Sequence, residues 1–324
     1  IGGEAFLSKH KLKSTTCFAC PIACKKHVEI GGKWFVAPEY ESVASLGSMC
    51  LIKDYRTIVE ANAICNDYGV DAITVGATIA FAMELFEKRI ITASDTDGLA
   101  LRWGDREAFL KLLMAIVNRQ GIGDILAYGS RRAAEIIGGR ALQFAIQVKG
   151  LEVPMHEPRA RKDMALNYAT AIIGASHSDM VGRGDVKKGQ DMASIIESLI
   201  LCHFTVIDVD EDYLAQLLNA VTGWRITGDD LLKIGERITN LGRCFNIREG
   251  ITGKDDWLPN RFFEPIPEGP LRGVRLEHDD FRRMLKDYYE ARGWDPTTGI
   301  PTKDKLRELG LGFAIKELER LGLL

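Results

Sequence analysis

The feature of this 324-residue sequence that most restricts its fold is a helical spacing of apolar residues that recurs along most of the chain. In residues 56–68, Ile58, Ala61 and Cys65 recur every three or four positions, which places them on one helix face, and Gly69 follows as a natural stop. The same spacing predicts further helices over residues 72–88, 106–118, 124–137, 191–204, 229–245, 281–292 and 302–321.

Signals for β-strands are few. Residues 28–36 are typical of a hairpin, and residues 143–148 form a short extended run. The helical pattern breaks at Gly138-Gly139, and the length of the chain suggests two domains. We therefore predict a mainly α fold, with two helical domains over residues 1–147 and residues 148–324 and a few short β segments.

Composition excludes several functional classes. A net charge of -3 gives no support for nucleic-acid binding, and no run of 18 apolar residues predicts a membrane-spanning helix. Seven cysteines in a chain of this size favour a reduced, cytoplasmic location over a disulfide framework. Because the sequence opens at Ile1 without methionine, we interpret it as a fragment or a processed chain.

The strongest local motif is Cys17-Phe-Ala-Cys20-Pro-Ile-Ala-Cys24. Three thiolates at these spacings can share one iron–sulfur cluster, which needs four such ligands. Zinc also binds Cys-x-x-Cys pairs, but the second pair that is usual in zinc ribbons is absent here. The spacing therefore favours a cluster, while the fourth ligand stays open among Cys202, Cys65, Cys50 and Cys244.

Two predicted helix ends echo one another. One is Asn66-Asp-Tyr-Gly69-Val-Asp71, and the other is Glu197-Ser-Leu-Ile-Leu201-Cys202. Each offers a polar side chain, three spacers, an aliphatic residue and a polar or thiol end. The pair could bind a two-fold ligand from both sides, or the two segments are ordinary helix C-termini.

Two of the six histidines lie in irregular segments bounded by glycine or proline, His156 in Val-Pro-Met-His156-Glu-Pro and His177 in Gly-Ala-Ser-His177. A single histidine is more often structural than catalytic, and the Pro-bounded context alone makes His156 a pocket-lining candidate. Glu41 lies in an acidic segment, Pro38-Glu-Tyr-Glu41, that precedes an apolar run. No Walker, Gly-x-Ser-x-Gly or His-Glu-x-x-His motif is present.

Together these segments resemble the aldehyde:ferredoxin oxidoreductase family of tungsten-pterin enzymes. The resemblance rests on the cysteine motif, the acidic segment and the two helix ends. It extends to Leu166-Asn-Tyr-Ala-Thr170 with Gly174-Ala-Ser-His177, to Arg243-Cys-Phe-Asn-Ile-Arg-Glu-Gly250, to Asp255-Asp-Trp-Leu-Pro259 and to Tyr288-Tyr-Glu-Ala-Arg-Gly-Trp-Asp295. It runs in order through nearly the whole chain and implies the family's two mostly helical C-terminal domains. The β-rich N-terminal domain, which holds much of the bis-pterin, has no counterpart here.

The resemblance also implies roles for individual residues. Cys202 becomes the fourth ligand of a [4Fe-4S] cluster with Cys17, Cys20 and Cys24. Glu41 becomes a base or water-orienting group, and His177 a hydrogen-bonding acid. The two helix ends become contacts of a tungsten or molybdenum bis-pterin, through Asn66, Gly69, Asp71, Glu197 and Leu201. Asn66, Glu197 and Ile200 depart from the family pattern of Asp, Asp and Gly.

The implied function is oxidation of an aldehyde to a carboxylic acid, with electrons passed through the cluster to ferredoxin. We expect the isolated fragment to be inactive, and Glu41 and His177 to face one cavity at the domain junction. An aryl-CoA ring reductase of the same family and a non-catalytic zinc-stabilised module are the alternatives. No nucleic-acid or membrane partner is expected, and the sequence leaves a homodimer open.

Overall fold

Helices make up most of the regular structure, and the strands are short, which confirms the predicted mainly α fold. The computed structural model describes residue 8 and residues 10–324. The chain divides into two compact units, Ile1–Met155 and His156–Leu324. The sequence prediction placed this boundary after residue 147.

The first unit begins with a three-stranded antiparallel sheet followed by short and long helices. Its strands are β1 (Leu12–Thr15), β2 (Lys25–Ile30), β3 (Lys33–Val36), β4 (Gln147–Val148) and β5 (Leu151–Glu152). Its helices are α1 (Tyr40–Val43), continued by a π-helical turn over Ala44–Ser48, then α2 (Tyr55–Tyr68), α3 (Ala72–Glu87), α4 (Arg106–Val117), α5 (Ile122–Leu126) and α6 (Gly129–Ile137), with a 3-10 turn at Ala141–Phe144.

The predicted hairpin over residues 28–36 is present, with β2 and β3 joined through Gly31-Gly32. The sequence analysis missed β1, which pairs with the other side of β2. Helix α3 lies at the centre of this unit, and nearly every residue from Val75 to Leu85 is buried. This helix has apolar residues on all its faces, which is typical of a helix enclosed by its neighbours.

The second unit contains seven helices in the described part of the chain. They are α7 (Lys162–Thr170), α8 (Val186–Ser198), α9 (Glu211–Thr222), α10 (Gly228–Arg248), α11 (His278–Arg292), α12 (Lys303–Glu308) and α13 (Gly312–Arg320), with 3-10 turns at His203–Thr205 and Asn260–Phe263. Helices α8 and α10 pack against each other along much of their length. Gly235 permits the close approach, because a Cβ there would overlap the backbone carbonyl of Asp191.

Three predicted helices were wrong in their limits. The helix predicted over residues 124–137 is two helices, because Gly129 adopts a left-handed φ of 81°. The helix predicted over residues 302–321 breaks in the same way at Gly310, with φ 71°. The helix predicted over residues 191–204 instead spans Val186–Ser198, because Asp185 caps it by accepting from the Lys188 N–H at 3.0 Å.

Buried ionic side chains fasten the C-terminal part of the second unit. Arg243 pairs with Asp256 at 2.8 Å, and both side chains are at most 2% exposed. Tyr289 donates to Asp256 at 2.6 Å, and Trp294 donates to Asn240 at 2.7 Å. Three of the segments that carry the family resemblance therefore meet in one polar core. An ion pair this deeply buried is stabilising only while both partners are present.

Among the described residues, no single helix is both long and apolar enough to cross a membrane. Helices α2 and α3 meet the length and composition test only as a pair, which is bent by 119°.

Candidate functional site

The three-cysteine motif occupies the loop that joins β1 to β2. Ala19 and Ala23 immediately precede the second and third cysteines and have left-handed φ values of 53° and 49°. The Cys20 N–H donates to the Cys17 carbonyl at 3.1 Å, so the loop turns sharply between its first two thiols. Lys26 donates to the Ala23 carbonyl at 2.8 Å and brings positive charge beside the loop.

Burial separates the seven cysteines into two sets. The accessible cysteines, which are exposed or half-buried, are Cys17, Cys20, Cys24 and Cys202. The buried cysteines are Cys50, Cys65 and Cys244. Burial raises the pKa of Cys65 and Cys244 to about 11, and it raises the pKa of Cys50 still further.

This division bears directly on the choice of a fourth ligand. A cysteine binds a metal as its thiolate, and a buried thiol with a raised pKa resists deprotonation. Three of the four candidates considered from the sequence are therefore poor ligands, and Cys202 is the one that is accessible. An iron–sulfur cluster takes four cysteine thiolates, and a structural zinc ion takes the same number of ligands.

The two helix ends that echo in sequence also share a backbone turn. At the end of α2, the N–H groups of Gly69 and Val70 donate to the carbonyls of Asn66 and Cys65. At the end of α8, the N–H groups of Ile200 and Leu201 donate to those of Glu197 and Ile196. The donor-to-acceptor spacing is the same in both turns.

Both turns use a left-handed residue at the same position, Gly69 with φ 67° and Ile200 with φ 58°. Glycine adopts this conformation without steric cost, whereas a β-branched residue is strained there. Ile200 is 92% exposed, so apolar packing does not compensate for the strain. The turn at Ile200 leads directly to Cys202.

Four of the five predicted cofactor contacts have exposed side chains, and the fifth, Gly69, has none. Asp71 already has a structural role, because its carboxylate caps α3 by accepting from the N–H groups of Ile73 and Thr74 at 3.0 and 3.3 Å. Asn66 lies in the last turn of α2, with its side chain in solvent. Leu201 is 37% exposed. These groups are accessible to a ligand. For Asp71, the capping of α3 is already a sufficient reason for an aspartate at this position.

Glu197 lines a cavity of about 410 Å³ within the second unit. Hydroxyl, amide and carboxylate groups share the wall with aliphatic side chains; the polar residues include Thr170, Gln190, Ser194, Glu197 and Thr239. A cavity with this mixture of donors and acceptors suits a polar ligand with an apolar part.

Glu41 lies in α1 and is half-buried. One carboxylate oxygen of Glu41 accepts from the Met155 N–H at 2.8 Å. This hydrogen bond holds the Glu41 side chain against a segment that is distant in sequence from α1. Tyr40 donates from its hydroxyl to the Met155 carbonyl, also at 2.8 Å. The two neighbours therefore hold residue 155 between them within the first unit.

His156 and His177 are neighbours in the second unit, with ring centroids 5.2 Å apart and planes inclined at 38°. His177 lies just beyond α7, in an irregular segment, residues 171–177. Asn246 donates to the carbonyl of Ile172 at 2.7 Å, and Asn167 donates to that of Ser176 at 2.8 Å. The sequence analysis chose both histidines from their context, and the structure brings their rings together.

Asp163 stabilises the start of α7. Burial tends to raise the pKa of its carboxyl, but hydrogen bonds from Arg161 and from the Gly184 and Met164 N–H groups outweigh burial, so the pKa lies below its ordinary value. The bond to Gly184 spans 3.2 Å and ties the loop before α8 to α7.

The sequence analysis missed the amides that hold the histidine segment. Asn167 stood inside a quoted motif without an assigned role, Asn246 likewise, and Gln190 fell outside the predicted helix. No sequence signal marked Gln190, which the structure shows to be only 4% exposed in α8 beside the buried Asp191. A polar residue at such a position needs buried partners.

Comparison with known proteins places these features in context. A family model described as domains 2 and 3 of aldehyde ferredoxin oxidoreductase matches residues 1–311. The tungsten-containing aldehyde ferredoxin oxidoreductase of Pyrococcus furiosus is 40% identical over 95% of this chain and 54% of its own length. The enzyme of the same name from Thermococcus kodakarensis is 38% identical, with the same coverage. The chain thus spans about half the length of these relatives.

Two further proteins are similar to this chain at lower identity. An aliphatic sulfonate oxidoreductase, WOR-like subunit, from Pyrococcus furiosus is 35% identical over 94% of this chain and 51% of its own length. Among solved structures, the active site complex BamBC of benzoyl coenzyme A reductase, in complex with 1,5-dienoyl-CoA, superimposes with a TM-score of 0.83. It covers 99% of this chain and 56% of that one, at 24% identity. At that identity the likeness shows the fold alone.

Proposed function

We propose, from the premise that this chain belongs to the aldehyde ferredoxin oxidoreductase family, that it provides the two C-terminal domains of an enzyme that oxidises an aldehyde to a carboxylic acid. The observation that supports this most directly is the division of the cysteines. The four accessible cysteines are those that the family resemblance names as cluster ligands, and the other three are withdrawn into the core.

The proposed reaction converts an aldehyde and water into a carboxylic acid, two protons and two electrons. When bound, a tungsten or molybdenum bis-pterin would supply a two-electron acceptor, and a [4Fe-4S] cluster would supply a one-electron path to ferredoxin. The four accessible cysteines would hold the cluster. Asn66, Gly69 and Asp71 of the first unit, with Glu197 and Leu201 of the second, would contact the pterin.

The chain's own contribution to the chemistry is proton handling. Glu41, held at one oxygen by the Met155 N–H, would orient the attacking water or accept its proton. His177 would donate a hydrogen bond to the substrate oxygen. His156, whose ring neighbours that of His177, would line the same pocket and restrict how the His177 ring can turn.

The choice of aldehydes over other substrates follows from the graded similarity. Identity is 40% and 38% to two aldehyde enzymes and 35% to the sulfonate oxidoreductase. Reduction of an aryl-CoA ring remains the runner-up within the same fold. The odd cysteine count and the accessible thiols suit a reducing, cytoplasmic location for either activity.

The test is metal analysis and turnover of the full-length protein, purified anaerobically. We expect iron with tungsten or molybdenum, the electron paramagnetic resonance signal of a reduced [4Fe-4S] cluster, and aldehyde-dependent reduction of ferredoxin. Cys202→Ser should lose the cluster signal, whereas Cys244→Ser, its matched control in the buried set, should keep it. Zinc without iron, or turnover of aryl-CoA but no aldehyde, would contradict the proposal.

A second test addresses the catalytic groups. His177→Ala and Glu41→Gln should each lower turnover by about 10²–10⁴-fold, as expected for loss of one positioned proton-transfer group, with iron and tungsten contents near wild type. His278→Ala is the control histidine, because His278 begins α11, stacks on Trp257 and Phe263 and has no role in this proposal. Wild-type turnover in both test variants would show that the two residues are structural.

A further inference from the structure

The segment that carries His177 has little backbone structure of its own. Within residues 171–177, the Gly174 N–H donates to Ala171 at 3.3 Å and the Ser176 N–H donates to Gly174 at 2.7 Å. Neither bond belongs to a helix or a strand. The position of the His177 backbone therefore depends on side chains that reach the segment from other elements, above all Asn167 at the Ser176 carbonyl.

A continuous line of buried hydrogen bonds leads from α11 to that carbonyl. Arg292 and Tyr288 donate to the Gln190 side-chain oxygen at 2.9 and 2.6 Å. The Gln190 amide nitrogen donates to the Asn167 side-chain oxygen at 3.0 Å and to the Thr170 hydroxyl at 3.1 Å. Asn167 in turn donates to Ser176 at 2.8 Å.

Chemistry sets the direction of every bond in this line. A guanidinium can only donate, so the oxygen of Gln190 must face Arg292, and its nitrogen must face α7. A backbone carbonyl can only accept, so the nitrogen of Asn167 must face Ser176. Both amides are thus orientated from the two ends, and neither can flip without placing oxygen against oxygen.

The line is also anchored where it begins. Arg292 has no exposed surface and pairs with Asp191. It also donates to the Lys187 carbonyl at 3.2 Å. Asp191 accepts from Lys187 and from Thr239, each at 3.2 Å. Arg292 is therefore held on several sides, and the orientation that it imposes on Gln190 cannot relax by rotation of the arginine.

We infer that Gln190 is a positioning residue, which transmits the fixed orientation of Arg292 through Asn167 to the Ser176 carbonyl and so sets the place of His177. This rests on the proposed function only in that His177 is taken as the group that acts on substrate. The role of Gln190 in setting the position of His177 does not depend on which substrate the enzyme oxidises.

The isosteric substitution Gln190→Glu tests the direction of the line. The introduced carboxylate still accepts from Arg292 and Tyr288 but can no longer donate to Asn167. Asn167 must then turn its nitrogen toward the carboxylate, which places its oxygen against the Ser176 carbonyl. A bond becomes a repulsion at the residue next to His177, with almost no change in side-chain volume.

Asn240→Asp is the matched control. Asn240 is fully buried in the same unit, and its oxygen accepts from Trp294 at 2.7 Å. Its nitrogen donates to the Glu236 carbonyl within α10 at 2.9 Å, so it has no bond to the histidine segment. This variant introduces a buried carboxylate and loses one donor, as Gln190→Glu does, but away from the line.

The measurement is amide hydrogen exchange of the full-length protein, together with the ring resonances of His177, assigned by comparison with His177→Gln. In Gln190→Glu we expect exchange in residues 171–177 to rise at least about tenfold, as loss of a buried hydrogen bond predicts, and the His177 resonances to move. Asn240→Asp should change neither. Tyr288→Phe, which removes one of the two donors to Gln190, should give a smaller rise in the same segment.

Wild-type exchange and unshifted His177 resonances in folded Gln190→Glu would overturn the inference. If that variant folds poorly, wild-type behaviour of Tyr288→Phe would overturn it equally. A rise spread over the whole second unit in Gln190→Glu, and equally in Asn240→Asp, would also overturn it, since Gln190 would then contribute only to stability. Neither readout uses turnover, so failure of the proposed aldehyde chemistry would leave both results interpretable.

Discussion

Replacement of Ile200 with glycine should stabilise the second unit, although it removes a large apolar side chain. Ile200 has φ 58° in the turn that ends α8, where the equivalent turn after α2 has Gly69. The side chain is 92% exposed, so its removal forfeits little burial. The expected gain comes from the backbone.

The magnitude can be worked from two opposing contributions. A left-handed conformation costs a residue with a Cβ roughly 1–2 kcal/mol, and glycine avoids that cost. Glycine loses more conformational entropy on folding than isoleucine does, which lowers the free energy of unfolding by roughly 0.5–1 kcal/mol. With the middle of each range, the net stabilisation is about 0.75 kcal/mol, which would raise the melting temperature of a unit of this size by about 1.5–3 °C.

The assay is thermal and urea unfolding of the full-length protein, with hydrogen exchange at the end of α8 as the local measure. Ile207→Gly is the matched control, because Ile207 is 68% exposed and its φ is not positive, so it should lose stability. Gly69→Ala should lose about 1 kcal/mol from the backbone alone, since no atom lies within 4 Å of the added Cβ. Destabilisation by Ile200→Gly, with both controls as expected, would refute the strain argument.

Three further outcomes follow from burial and charge. Asp256→Asn should destabilise the second unit by about 3–5 kcal/mol in urea unfolding, because it leaves the Arg243 guanidinium buried without its counter-charge; a loss below about 1 kcal/mol would contradict this. The pKa of Asp163 is lowered in the folded state, so the ionised carboxylate stabilises the fold at pH values above the ordinary aspartate pKa of about 3.9. This stabilisation is lost as the pH falls below that value. The stability difference between wild type and Asp163→Asn should therefore shrink over the acid range and stay constant above it. In cluster-free protein at pH 8, iodoacetamide should modify the accessible cysteines rapidly and the buried cysteines slowly, as mass spectrometry of peptides would show, and fast modification of Cys65 or Cys244 would contradict their burial.

The sequence by itself determined the features that depend on neighbouring residues along the chain. Asp105 caps α4, and Gly69 ends α2 in the left-handed conformation, as local capping chemistry predicts. The mainly α architecture, the β2–β3 hairpin and the resemblance to the family were likewise predicted and confirmed. The helix caps and the hairpin turn form between residues only a few positions apart, so the sequence pattern is enough to predict them.

Tertiary structure alone decided what depends on distant partners. Asp191, which the sequence analysis predicted to begin a helix, lies inside α8, and its burial there depends on the ion pair with Arg292, about a hundred residues later. Burial separated Cys202 from its three competitors; the helical spacing indicated this for Cys65, whereas Cys50 and Cys244 are covered by residues distant in sequence. Gln190 acquired a place in the candidate site only when α7, α8 and α11 came together, because the direction of a buried hydrogen bond is set by groups at both of its ends.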